Sequence, residues 1–492
     1  MSPQFLRFFF ASLLAGPAAT RADVMLAPLF QDHAVLQCDR PLPVWGMAKP
    51  REKITVYFRD QEHHVTADKK GHWQVRLDPL PATSEPAQLV VTGRNTVRIA
   101  DVVVGEVWLC SGQSNIELPT QGPPNTSLGP QNAAQGAAVA PPLIRQFAVD
   151  HVVAEKPAAT VSGAWSVCSP EAVGRFNAVG YFFARDLHLK LGVPIGIINS
   201  TWDGTPIEAW MSAEALASDP AFQVIGERWK KILQEYPSKK SAQASGLPGP
   251  APVCEPPGPG HRSTPAGLYN GMIAPLMPFA IRGVLWDQDE ANASRYNEYR
   301  ALFPTLIMQW RQAWEEGDFP FYFVQLANCQ DDAIANRAYL REAQTQALVL
   351  PATGMAVTID MGASGNIHPA SKQEIGRRLA LIARTQVYGI PGDWSGPIFL
   401  SAQREGAAMR VHFAHADGSL TAHDKPPAGF EIAGHDRKFY RATARLERDT
   451  VLVSSPEVKE PVAVRYAWAN APEANLYNGA GLPAAPFRSD NW

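Results

Sequence analysis

The residues of this chain best placed to do chemistry lie in two short stretches far apart in the sequence. The first is Val107-Trp108-Leu109-Cys110-Ser111-Gly112-Gln113-Ser114-Asn115-Ile116-Glu117, an apolar strand that runs straight into a glycine-containing polar turn. A serine on such a turn stands at the carboxyl edge of a sheet. Ligands of open α/β folds bind at that edge, and the N-terminus of a following helix offers backbone N–H groups there. The second stretch is Val357-Thr358-Ile359-Asp360, then a glycine-rich turn, then Asn366-Ile367-His368-Pro369 before the amphipathic run Lys372 to Ala383. His368 therefore falls in a loop just ahead of a helix, free to face the same edge. Alone, Ser114 reads as a helix cap and His368 as a solvated loop residue. Together they read as nucleophile and general base, because a serine hydroxyl is a weak nucleophile until a neighbour can take its proton.

Such a pair needs a sheet whose strand ends converge. Apolar strand-like runs at Val107–Leu109, Ile195–Ile198 and Val284–Trp286 are followed in several cases by segments of helical periodicity, including Val179 to Leu191 and Tyr296 to Trp314. Strands alternating with helices predict a parallel sheet covered on both faces, over about residues 105–391. On either side the pattern is short and alternating. Lys53–Phe58 and Trp73–Leu77 predict an N-terminal β-sandwich module over 23–104. Ala408–Phe413, Phe439–Leu446 and Thr450–Ser454 predict a C-terminal β-rich module over 392–492. Tyr236 to Pro265 is crowded with Pro, Gly, Ser and Lys and reads as a surface loop or lid.

The 492 residues leave room for about three domains of roughly 150 residues each. With 46% hydrophobic and 18% charged residues, the chain is too apolar to be largely disordered. A net charge of -3, with Lys and Arg scattered, argues against a nucleic-acid surface. In the first twenty-two residues, Arg7 precedes the apolar run Phe8 to Leu14, and small residues lead to Thr20-Arg21-Ala22. This is the pattern of a secretory signal peptide cleaved after Ala22 or Ala19, and it predicts a secreted or periplasmic protein. The run is too short for an ordinary membrane span, and no other segment is long and apolar enough for one. Cys38, Cys110, Cys168, Cys254 and Cys329 lack the paired spacing of a zinc site. Their odd number leaves at least one thiol free, and none looks catalytic.

These motifs resemble the sialate O-acetylesterases, members of the wider group of GDSL-like (SGNH) hydrolases. The resemblance includes Trp108 to Glu117, Pro194 to Trp210, Leu268 to Ala293, Ile367 to Ala383 and Val464 to Phe487. It implies a flavodoxin-like α/β/α domain flanked by N- and C-terminal β-rich modules. It also implies a carbohydrate O-acetylesterase that needs no metal or organic cofactor, its substrate an O-acetylated sugar or glycan. The family's Gly-Gln-Ser-Asn block falls on Gly112 to Asn115 and makes Ser114 the nucleophile. Its Ile-His-Pro block falls on Ile367 to Pro369 and makes His368 the base. The resemblance assigns the oxyanion donors to the Ser114 backbone N–H, to Gly204, and to the side chain of Gln288 or Asn292.

The chain departs from the family pattern at three places. Aspartate replaces glycine in Trp202-Asp203-Gly204-Thr205 and in Trp286-Asp287-Gln288-Asp289-Glu290-Ala291-Asn292. An ionised Asp203 or Asp289 facing the oxyanion would oppose the charge that develops there. No aspartate closely precedes His368 either, which leaves Asp360 or Asn366 to orient it. These departures define a second expectation, a carbohydrate-binding protein that keeps the hydrolase fold with impaired turnover. Glu117, Glu208 and Glu290 invite a two-carboxylate glycosidase reading, although nothing in their spacing selects a pair. A dedicated sialate site would benefit from an arginine for the carboxylate; Arg295 and Arg337 are candidates.

Overall fold

The computed structural model describes residues 23–122, 141–244, 256–330, 336–362, 365–416 and 420–492, so the expected signal peptide lies outside the described residues. The alternation along Val107-Trp108-Leu109-Cys110 sets the architecture around the strand Thr96–Gly112. Val107 and Leu109 enter one apolar core with Val284, Trp286, Phe321 and Phe323. Trp108 and Cys110 enter a second core with Ile197, Leu285 and Tyr322. Both faces of this strand are thereby buried from Val102 to Gly112, the condition under which parallel sheets occur.

Ile195–Thr201 and Gly283–Asp287 pair with Thr96–Gly112 on its two sides, both in parallel. Phe321–Val324 and Thr353–Ala356 extend the sheet beyond Gly283–Asp287, again in parallel. Beyond Ile195–Thr201 come Ile144–Val149, parallel, and Gly163–Val167, antiparallel at the edge. Helices Ala178–Leu191 and Lys372–Gln386 cover the face that carries Trp108, through Phe183, Leu187, Leu379 and Ile382. Helices Tyr296–Trp314 and Arg337–Gln346 cover the opposite face through Phe303, Trp310, Leu340 and Ala343. The result is a mixed α/β fold with several sheets.

Thr96–Gly112 also belongs to the N-terminal part of the molecule. Its first half pairs antiparallel with Thr83–Thr92, which in turn pairs with Lys53–Phe58. The boundary expected between residues 104 and 105 therefore falls inside one unbroken strand. The change of pattern there marks a change of partner, because Val102, Val103 and Val104 are as fully buried as Val107 and Leu109. Leu42–Met47 pairs with Met25–Leu26 and His72–Leu77 in a separate three-stranded sheet. After residue 392, two four-stranded antiparallel sheets enclose a core of their own, which includes Val411, Ile432, Val453 and Tyr466.

Helix Gln223–Ala244 runs eight residues past Tyr236, where a loop was expected, and carries Pro237 within it. Local charge favours the continuation, with Lys239 Nζ donating to Glu235 Oε2 at 2.8 Å one turn away. Residues 245–255 of the expected loop lie outside the described residues. Among the described residues no helix is long and apolar enough to cross a membrane.

Candidate active site

The turn that carries Ser114 is stitched to both neighbouring strand ends. Gly112 lies directly opposite Thr201 and Asp287. Its φ is +132°, and a Cβ there would meet the Asp287 carbonyl oxygen at 2.1 Å, so only glycine permits this close approach. The Gln113 N–H donates to Asp287 O at 3.0 Å, and the Trp202 N–H donates to Gly112 O at 3.1 Å. Ser114 then opens the short helix Ser114–Glu117. It is only 5% exposed, yet it lines a cavity of about 610 Å³ together with Glu117, Asn199, Arg175, Asp203 and His368.

Ser114 and His368, distant in sequence, thus share one cavity. His368 is half-buried, and burial lowers its pKa below the ordinary 6.5. The Lys372 cation acts in the same sense, while Asp289 and Asp203 oppose it. The ring nitrogen Nε2 is buried and has no hydrogen-bond partner among the described residues. An unpaired buried polar atom is costly, and one kept beside a cavity is available to a ligand or a nucleophile. Asn366 does not reach the ring: its Oδ1 accepts from the His368 backbone N–H at 2.9 Å and shapes the turn. Asp360 is committed elsewhere, with its two oxygens accepting from Nη1 and Nη2 of Arg378 at 2.8 Å each. Neither residue therefore orients the imidazole.

The residues expected to donate to an oxyanion separate in space. Gly204, at φ +65°, lines a neighbouring cavity of about 290 Å³ with Glu208, Arg228 and Arg295. Gln288 and Asn292 are buried beneath the site. Gln288 Nε2 donates to Gln113 Oε1 at 2.7 Å and to Thr205 O at 3.1 Å. Asn292 Nδ2 donates to Glu208 Oε2 at 2.9 Å, and its Oδ1 accepts from the Ile207 N–H at 2.9 Å. Both amides prop the 205–208 loop, and neither lines the cavity of Ser114. A matched motif cannot distinguish a donating amide from a propping one, since the residue type is the same.

Asn199, which the sequence reading missed, does line that cavity. Its Oδ1 accepts from Asn177 Nδ2 at 2.9 Å and from Thr201 Oγ1 at 3.2 Å. With the oxygen engaged, the donor end of this carboxamide is left for a ligand. The available signal was its place as the first polar residue after the apolar run Ile195–Ile198.

The two aspartates that replace glycine differ in setting. Asp203 is exposed on the wall of the cavity. Asp289 is buried and accepts from the Asn115 backbone N–H at 3.3 Å. It belongs to a group with Asp287 and Lys372. Burial, reinforced by Asp289, holds the Asp287 carboxyl well above its usual range. Burial also brings the Lys372 ammonium down to about 8, against the pull of the nearby carboxylates. Lys372 Nζ donates to Asn115 Oδ1.

Of the three carboxylates in the glycosidase reading, only Glu117 reaches the cavity. His151 Nε2 lies 3.0 Å from Glu117 Oε1 and 3.0 Å from Thr201 O, and the ring stacks on Trp202. The hydrogen bond to Glu117 raises the His151 pKa. Glu208 is paired with Arg295 at 3.0 Å, and Glu290 with Arg337 at 2.8 Å. Neither arginine expected for a carboxylate ligand is therefore free. Among the described residues one group, Cys38, Asp39 and Glu106, gathers metal-type ligands. Arg282 already holds both Glu106 oxygens, at 2.6 and 2.9 Å. Cys38, Cys110, Cys168 and Cys329 are free and buried, and Cys254 lies outside the described residues.

Residues 262–384, which include His368, match the family described as carbohydrate esterase, sialic acid-specific acetylesterase. The chain is 32% identical to the sialate O-acetylesterase of Rattus norvegicus, over 90% of each chain. It is 30% identical to that of Homo sapiens, over 90% of this chain and 88% of the other. Among solved structures, a carbohydrate acetylesterase from Xanthomonas citri is 39% identical and superposes with a TM-score of 0.82, over 95% of this chain and 100% of that one. A serine and a histidine meeting at the strand ends of an α/β sheet, with these similarities, define a carbohydrate esterase. The chain belongs to the sialate O-acetylesterase family.

Proposed function

We propose that the protein removes O-acetyl groups from sugar hydroxyls, with O-acetylated sialic acid as its principal substrate, through an acyl-enzyme on Ser114. The single observation that carries this is the shared cavity of Ser114 and His368. Ser114 Oγ attacks the acetyl carbonyl carbon while His368 takes its proton. The tetrahedral intermediate collapses, and His368 returns the proton to the departing sugar oxygen. Water, deprotonated by the same imidazole, then attacks the acyl-enzyme and releases acetate. Negative charge on the carbonyl oxygen is met by the Ser114 N–H at the head of its helix and by the Asn199 carboxamide, whereas Gly204 lines the neighbouring cavity. Each such donor is worth on the order of a hundred- to a thousand-fold in turnover. Gln288 and Asn292 act beneath the site, by holding its loops.

In this proposal the core is a flavodoxin-like SGNH hydrolase domain with β-rich modules before and after it. The strand order supports it. With the Ile144–Val167 hairpin set aside, the parallel strands lie in the order second, first, third, fourth, fifth along the chain, the doubly wound order whose ligand site falls at the strand ends. A secreted or periplasmic location is carried by the composition of residues 1–22 alone.

The deciding experiment is labelling with a reactive organophosphonate, followed by acetate release from O-acetylated sialic acids and from acetylated xylo-oligosaccharides. One adduct, abolished in Ser114→Ala, with faster release from the sialic acids, is the expected result. A folded protein that takes no label would defeat the esterase mechanism and favour a sugar-binding protein without turnover.

A further inference from the structure

We propose that Arg175 binds the carboxylate of an acidic sugar in the cavity of Ser114, and so selects acetyl esters of sugar acids over those of neutral sugars. This rests on the esterase function proposed above. Arg175 is the one lysine or arginine among the described residues lining that cavity. Its side chain is exposed there and forms no ion pair among the described residues. Arg228, Arg295, Arg337 and Arg378, by contrast, are each tied to a carboxylate. Residues 123–140, which follow the cavity-lining Gln121 and Gly122, contain no Asp or Glu in their sequence, so they carry no carboxylate with which to pair it.

The backbone around Arg175 is anchored, while its side chain forms no ion pair among the described residues. The Arg175 N–H donates to Ala172 O at 3.0 Å. On either side of it, Gly174 O accepts from the Gln121 N–H at 3.0 Å and Phe176 O from the Thr120 N–H at 2.9 Å. Two residues on, Asn177 Oδ1 caps helix Ala178–Leu191 at the Gly180 N–H, and its Nδ2 donates to Ile116 O in the helix of the nucleophile. The guanidinium is thus carried on the same brace that positions Ser114. It presents a planar fork of donors matched to a carboxylate.

Charge within the cavity fixes the sense of binding. Glu117 is already engaged by His151, and Asp203 on the same wall repels an anion. Among the described residues lining the cavity the Arg175 guanidinium is the one arginine or lysine charge, so a sugar carboxylate is favoured there, which leaves the acetyl ester for Ser114 and His368. The volume of about 610 Å³ lies within the range of small-ligand sites. Sialic acids and uronic acids both carry the carboxylate this requires.

The test compares kcat/KM on four substrates: an O-acetylated sialic acid, an O-acetylated glucuronic acid, and the methyl ester of each. The wild-type enzyme should prefer free acid to methyl ester by about tenfold to a hundredfold in at least one pair, mainly through KM. The pair with the larger preference identifies the natural acid. In Arg175→Gln that preference should fall to near one, and Arg175→Lys should keep part of it. Wild-type enzyme that treats acid and ester alike overturns the proposal, as does an unchanged preference in Arg175→Gln. Should the variants fail to fold, inhibition of wild-type hydrolysis by free N-acetylneuraminate and glucuronate against their methyl esters decides in the same way. Absence of acetate release from all four substrates and from p-nitrophenyl acetate would instead defeat the esterase function itself.

Discussion

Asn115, the residue after the nucleophile, donates its side-chain N–H to the carbonyl of Ile367, the residue before His368, at 3.0 Å. The same side chain accepts from buried Lys372, at the start of the helix that follows His368. Serine and histidine come from opposite ends of the sheet region, and this one carboxamide ties their loops together. Their distance is therefore set by a short chain of hydrogen bonds. Asn115→Ala should lower kcat by about ten- to a hundredfold, through loss of this alignment, with KM changed by less than about threefold. Steady-state acetate release checks it, and an unchanged kcat would show that the loops hold their places without Asn115.

The pH profile follows from His368. Burial and Lys372 hold its pKa below 6.5, and only the neutral imidazole can take the Ser114 proton. Activity should therefore persist below pH 6.5 and fall as pH drops through the lowered pKa. Removing a nearby negative charge lowers a histidine pKa further. In Asp203→Asn the acid limb of kcat/KM should move to still lower pH by a few tenths of a unit; a move to higher pH would contradict the placement of Asp203 beside His368.

Asp360 is a structural residue. Its bidentate pair with Arg378 is largely buried, with side chains 15% and 6% exposed. Breaking one side of a buried pair costs about 3–5 kcal/mol. Asp360→Ala should lower unfolding stability by that order in denaturant titration, while the folded variant keeps kcat within a few-fold. A hundredfold loss of kcat in folded protein would instead restore Asp360 as the partner of His368.

The two aspartates in glycine positions should respond in opposite ways. Asp203→Gly removes a carboxylate from the cavity wall and should raise acetate release. Asp289→Gly removes the acceptor of the Asn115 N–H and one of the negative charges beside buried Lys372. It should lower both activity and stability. Acetate release and thermal unfolding of the two variants, measured in parallel, check this; the same direction in both would refute the distinction.

Much of the site's frame was legible without coordinates, because it depends on local rules. The continuous apolar run Val107 to Cys110 predicts a strand buried on both faces, Gly112 predicts a tight turn, and the run Val179 to Leu191 predicts a helix packed on the sheet. The expected boundary at residue 104 did not survive, since a valine-rich run reads the same whether its neighbour is antiparallel or parallel. The loop expected from Tyr236 is helical as far as Ala244, because proline and glycine counts do not register one-turn charge pairs such as Glu235 with Lys239.

Side-chain roles divide along the same line. Ser114 and His368 reach one cavity as their flanking elements predict, since strand and helix periodicity dictates where loops emerge. Whether Gln288 donates to an oxyanion or props Thr205, and whether Asp360 meets a histidine or Arg378, depends on residues brought near by folding. The same holds for which arginine stays unpaired: Arg295 and Arg337 are neutralised by Glu208 and Glu290, and Arg175 faces the cavity without a carboxylate partner among the described residues. Hydrogen bonds and ion pairs fall off within a few ångströms, so they record tertiary neighbours, which local spacing along a chain does not specify.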